Sequence, residues 1–163
     1  LNNNALTLSG GGVIPLSAGV TGLYAGTGQV LHVAATGQVS GATPTTTTLL
    51  LELFEVPASV VAAGLTPTSF TGFNEVGSTG AKALSDAADS FTVDARLQLD
   101  ASGNLQGSFT ATVNGAAIVA AAAITPITGL TGEQDLNFVM AATLGGAEAG
   151  VIVTLSEFRI DLE

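Results

Sequence analysis

The sequence predicts an all-β protein, an antiparallel β-sandwich of about eight strands with jelly-roll-like organisation. Three observations predict it. Apolar residues recur with a period of two rather than 3.6. Strand-forming runs are separated by clusters of Gly, Asn, Asp, Pro and Thr. No segment carries a long amphipathic helix pattern, and Ser85–Asp89 has room for one helical turn only.

The first 28 residues are rich in glycine and hold weak strand candidates such as Ala5–Ser9. They read as an N-terminal arm, residues 1–28, leading into a single sandwich domain, residues 29–163. Gln29–Ser40 is a strand rich in Val and small residues, and Thr45–Val56 is another, stopped by Pro57. Ala58–Asp89 is the least regular stretch; a long connection there suits a Greek-key crossover, and so a jelly roll ahead of an immunoglobulin-like sandwich. Phe91, Val93, Ala95, Leu97 and Leu99 alternate with Thr92, Asp94, Arg96, Gln98 and Asp100, and Leu105–Val113 alternates in the same way. The turn Asp100-Ala101-Ser102-Gly103-Asn104 joins them as a hairpin. Their apolar faces coincide if Leu99 faces Leu105, Leu97 faces Gly107 and Ala95 faces Phe109. Asn114-Gly115, a tight-turn dipeptide, leads into a strand over Ala116–Thr125, ended by Pro126. Asp135–Leu144 and Val151–Leu162 form the last pair.

The chain has 163 residues, and its composition excludes several functions. Only Lys82, Arg96 and Arg159 are basic, against 13 acids, for a net charge of −10. Nucleic-acid binding needs clustered cations to displace counterions from phosphates, and anionic lipid headgroups make the same demand, so neither is expected as a partner. The absence of Cys removes thiolate catalysis, zinc–thiolate sites and disulfides. The longest apolar run, Ala116–Ile124, is far short of the roughly 20 residues that a membrane-spanning helix needs.

Little of the sequence points to catalysis, and no enzymatic activity is expected. The single histidine, His32, lies within an apolar strand with no nucleophile elbow anywhere in the chain, so a hydrogen-bonded strand position is expected of it. A zinc site would need a second soft ligand, and none exists. Asp86, Asp89 and Asp94, and the Asp100–Asn104 turn, offer oxygen ligands, but neither segment has the spacing of a twelve-residue calcium loop, and Asp and Asn favour turns for local reasons. No metal and no cofactor is therefore expected. Glu52 and Glu55 fall on opposite faces of their strand, which excludes them as a carboxylate pair for glycoside hydrolysis. With seven Phe, one Tyr and no Trp, a ring platform for sugars is thinly supplied.

Two strands break the alternation. Leu49, Leu50, Leu51, Leu53, Phe54 and Val56 are apolar on both faces, and so is Ala116–Ile124. The outer face of such a strand is covered either by the chain's own loops or by another subunit. Charged residues make up only 10% of the chain, which favours a subunit. The candidate interface residues are Leu50, Phe54 and Val56, with Ile14 and Leu16 in the arm.

In style the chain resembles the small jelly-roll decoration or cement proteins of tailed-phage virions. The stretches that carry the resemblance are Leu97-Gln98-Leu99-Asp100-Ala101-Ser102-Gly103-Asn104-Leu105-Gln106-Gly107, Asp135-Leu136-Asn137-Phe138 and Val153-Thr154-Leu155-Ser156-Glu157-Phe158-Arg159-Ile160. The resemblance implies a virion-surface structural protein that forms homo-oligomers, trimers foremost. It would clamp a lattice of major capsid protein without catalysis, and its N-terminal arm would reach a neighbour. A subunit of an extracellular filament or surface layer, and a secreted carbohydrate-binding sandwich with or without calcium, are the alternatives.

Overall fold

A computed structural model describes residues 6–9, 16–24, 28–41, 48–56, 72–84, 89–130, 133–145 and 150–163. These residues form eleven strands and no helix: β1 (Leu6–Ser9), β2 (Leu16–Tyr24), β3 (Leu31–Gly41), β4 (Thr48–Val56), β5 (Asn74–Ser78), β6 (Lys82–Ala83), β7 (Ser90–Leu99), β8 (Leu105–Val113), β9 (Ala116–Ala123), β10 (Glu133–Gly145) and β11 (Val151–Leu162). One sheet has six strands in the order β1-β11-β3-β7-β8-β9. The other runs β2-β10-β4-β5, with β6 also paired to β4. All pairings are antiparallel. Consecutive strands alternate between sheets from β1 to β4 and again from β9 to β11. The four-strand rows β1-β11-β3-β7 and β2-β10-β4-β5 are those of a jelly roll, and β8 and β9 extend one of them outward as a meander.

The two sheets close over a core built from the inward residues of each strand. The larger sheet supplies Leu31, Val33, Ala35, Val39, Phe91, Val93, Ala95, Leu97, Val153 and Leu155, and the smaller sheet Leu49, Leu51, Leu53, Leu136, Phe138, Met140 and Ala142. The outer face of the larger sheet is polar, as alternation dictates. It carries His32, Thr36, Thr92, Asp94, Arg96 and Thr112, with the Thr92 and Thr112 hydroxyls 2.7 Å apart. One bulge changes phase in β11: the register shifts between Leu155 and Glu157, so that Leu155 and Phe158 both turn inward.

The β7–β8 hairpin has the register that its apolar faces predict, with Leu99 opposite Leu105, Leu97 opposite Gly107 and Ala95 opposite Phe109. Its turn is organised by Asp100. The carboxylate accepts from the backbone N–H of Ser102 (2.8 Å) and Asn104 (2.9 Å) and from the Asn104 amide (3.0 Å). Gly103, at φ 76°, takes the left-handed corner. These bonds, those to Asn104 foremost, hold the Asp100 carboxyl below its ordinary value of 3.8. The stabilisation is therefore present above that value and is lost as pH falls through the folded one. Asp100→Ala is expected to lower the melting temperature at neutral pH, whereas Asp100→Asn, which keeps an acceptor oxygen, should lose less. Equal melting of the alanine variant and the parent would show that the turn holds without the carboxylate.

The Asn114-Gly115 corner is a two-residue hairpin with positive φ at both positions (50° and 76°), and Val113 faces Ala116 across it. Asn114 has a second task. Its amide nitrogen donates to Asp89 Oδ1 (2.5 Å) and its oxygen accepts from the backbone N–H of Ser90 (2.8 Å), which fixes the start of β7.

Four strands lie where a weak arm and an irregular stretch were expected. β2 pairs with β10 and β1 with β11, so both described pieces of residues 1–28 are edge strands of the sandwich. β5 and β6 arise inside the stretch Ala58–Asp89. The one-turn helix considered at Ser85–Asp89 lies largely outside the described residues.

Candidate functional site

The polar outer face of the larger sheet gathers the only histidine with Asp94 of β7 and Glu163 just beyond β11. β3 and β7 place His32 directly opposite Arg96, and β11 places Asp161 on its other flank. His32 Nε2 is hydrogen-bonded to Asp94 Oδ2, and Nδ1 lies 3.8 Å from Glu163 Oε1. Arg96 reaches the same carboxylate, with Nη1 donating to Glu163 Oε2 at 3.2 Å. Backbone bonds between Val30 and Glu163 complete the fastening, the Glu163 N–H donating to the Val30 carbonyl at 2.8 Å. The cluster ties Glu163 to the start of β3. The exposed Arg96–Glu163 pair contributes about 0–1 kcal/mol. No hydroxyl nucleophile is among the partners resolved for the imidazole, which fits the hydrogen-bonded strand position expected of it.

The acids of β4 divide as their spacing requires. Glu52 faces out from the smaller sheet, opposite Ala141 and Ser78. Glu55 is opposite Phe138 and is only 2% exposed. Asn74 of β5 donates to Glu55 Oε2 at 2.7 Å. Burial raises the Glu55 carboxyl above its ordinary value of 4.5, against the Asn74 bond, which acts to lower it. Burial also raises Glu52, and the nearby charge of Glu75 adds to that. Glu75 sits opposite Phe54 on β5, a strand that the sequence reading did not place. Its only fully apolar residue is Val76, too little for a period to show.

No group of three or more His or acidic side chains among the described residues is arranged to hold a metal ion. Of the calcium candidates, Asp86 lies outside the described residues, Asp89 is buried against Asn114, Asp94 faces His32, and Asp100 spends its oxygens on its own turn. The rings of Phe54, Phe91, Phe109, Phe138 and Phe158 are buried, and the half-buried Phe73 packs edge-on against Phe54.

The expected interface residues have different placements. Ile14 lies outside the described residues, and Leu16 opens β2 opposite Met140. Leu50 is half-buried on the outer face of the smaller sheet. Phe54 and Val56 share that face with Val139 and Ala141, outside the core between the sheets, and they are 7% and 1% exposed. The chain itself therefore covers them. Phe73 contributes an edge-on ring contact to Phe54, with centroids 6.0 Å apart. Of the three β4 residues, Leu50 alone keeps part of its surface exposed.

The second doubly apolar strand is placed otherwise. Among the described residues β9 is the outermost strand of the larger sheet and is paired on one side only, to β8. Ala116, Ala117, Ala120, Ala122 and Ala123 are exposed, while Ile118 and Val119 pack partly onto the core. Beside it, between β9 and the β5 edge, runs a cleft of about 200 Å³. Gly77, Phe109, Val119 and Ile124 line it, with Glu75 at its rim. A side chain at Gly77 would collide with the Phe109 ring, its Cβ falling 2.3 Å from Cγ, so the glycine is what lets the two sheets approach along this seam.

No protein-family model matches the chain, and no curated protein matches it.

Proposed function

We propose that the chain is a non-enzymatic structural subunit that associates with further copies and with a lattice, in the manner of a decoration or cement protein on the exterior of a virion shell. The observation that supports it best is the β9 edge: an exposed, uncharged, eight-residue strand at the rim of a large sheet. Solitary proteins guard such rims with charge, proline, a bulge or a covering loop, because unpaired backbone groups recruit another strand; β9 has bulges but neither charge nor proline. Here nothing between Leu105 and Gly132 is charged, in a chain that carries 13 acids elsewhere. The jelly-roll topology and the three stretches that resemble decoration proteins support the same reading, with the major capsid protein as the lattice partner. A net charge of −10 with only three cations also argues against nucleic acid and anionic membranes as partners.

Electron microscopy of the chain recovered from the cells that make it tests the proposal. Copies arrayed on a shell are the expected result. Recovery only as a free monomer, with no lattice bearing it, would refute the reading. Copies stacked strand to strand along a fibre would replace the shell with a filament.

A further inference from the structure

We propose that two copies of the chain join edge to edge through β9, the two strands pairing antiparallel about a twofold axis so that the two six-stranded sheets become one. The inference rests on the assembly reading and names the partner of its principal surface: a second copy of this chain.

The backbone comes first. Each residue of a strand has one N–H and one C=O, and an interior strand spends them on both neighbours. β9 has a neighbour on one side, with register pairs running from Ser108–Ala123 to Val113–Ala116. Along its other side no described strand runs. An eight-residue strand at about 3.4 Å per residue offers an edge of roughly 27 Å. Its exposed side chains are alanines, which neither shield the backbone nor bring charge to it.

Charge then selects the occupant. Two copies at net −10 repel wherever their acids meet, and screening at physiological salt reaches only about 8 Å. β5, the edge beyond the cleft, carries Glu75, with Glu52 on the adjoining strand. β9 brings no acid of its own to a partner, nor does β8 behind it. β1 and β2 are also uncharged, but β1 has four residues and β2 belongs to the other sheet. A second β9 matches β9 in length residue for residue, and a twofold pair uses up both open edges at once. Two register shifts, between Phe109 and Ala111 and between Ala111 and Thr112, put bulges into β9 that a partner strand must accommodate.

A charge-swap experiment on the full chain tests this. Ala120 is exposed near the middle of β9, so like charges there would face each other across a twofold axis. Sedimentation of the parent is expected to show a dimer at micromolar concentration. Ala120→Lys alone and Ala120→Glu alone are each expected to halve the mass, to 16.0 kDa. An equimolar mixture of the two should restore the dimer, which also shows that both variants fold. A parent trimer unaffected by either substitution would overturn β9 pairing while leaving the assembly reading intact. Association of Ala120→Lys with itself as tightly as the parent would overturn it too, since β9 would then be meeting an uncharged edge such as β1 or β2. A parent that stays monomeric and binds no lattice would overturn both.

Discussion

Phe91→Ala is expected to lower the unfolding free energy by about 3–5 kcal/mol, a large share of the 5–15 kcal/mol that a domain possesses. Phe91 is 2% exposed and lies in register with Gly37 of β3. The ring occupies the space that a side chain at Gly37 would need. A Cβ there would fall 2.2 Å from Phe91 Cζ and 2.5 Å from the Thr154 carbonyl oxygen. With no side chain opposite to relax into the void, the cavity left by the ring cannot close cheaply. Gly37→Ala alone should also destabilise, by overpacking, by about 1–3 kcal/mol. The two substitutions are in direct contact, so the double variant should be less destabilised than the sum of the two, by about 0.5–3 kcal/mol. Urea unfolding of the four proteins measures the cycle. Strict additivity would show that ring and glycine do not depend on each other, while the clash with the Thr154 carbonyl limits how much can be recovered.

The second large effect concerns the buried acid. A carboxyl whose folded pKa is raised holds its proton more tightly in the folded state than in the unfolded one. For Glu55 the folded state is therefore favoured most below the ordinary value of 4.5. Stability falls as pH rises from there through the raised folded value, and it levels off above. Glu52 acts in the same direction, and Asp100 opposes both only at lower pH. The parent should thus melt at a higher temperature near about pH 5 than near about pH 8. Glu55→Gln keeps an oxygen for the Asn74 amide and removes the charge, so it should raise the melting temperature at pH 8 and flatten the profile. A gain of a few degrees is the expected scale, since about 1 kcal/mol moves the midpoint by about 2–4 °C in a chain of this length. A drop in melting temperature at pH 8 would mean that the ionised carboxylate is needed where it lies.

Much of this fold is legible in its residues because the signal is local. Alternation over Phe91–Leu99 and Leu105–Val113 sets faces and register together, and the turn residues Asp100, Gly103, Asn114 and Gly115 set the loop lengths. β2, β5 and β6 escape such reading for a physical reason. β2 has Gly19 and Gly22 breaking its pattern, β5 presents one apolar residue, and β6 is two residues long. All three are held by what pairs with them, β10 for the first and β4 for the others. The surface is less legible still. A strand apolar on both faces announces cover on both sides, and nothing local tells own chain from partner. In β4 the cover over Phe54 and Val56 is the chain's own; in β9 Ala116, Ala117, Ala120, Ala122 and Ala123 stay exposed. The burial of Glu55 is likewise invisible in sequence, since its strand position alone says only which way it faces.

The proposed assembly rests on the β9 rim. Hydrogen exchange of the backbone amides of Ala116–Ala123, followed as the protein is diluted, reads it most directly. If copies share this edge, the outward amides are protected in concentrated protein and lose that protection on dilution, in step with the fall in sedimenting mass. If they exchange at open-strand rates at every concentration while the mass stays high, the copies are held together elsewhere and the edge-sharing explanation fails.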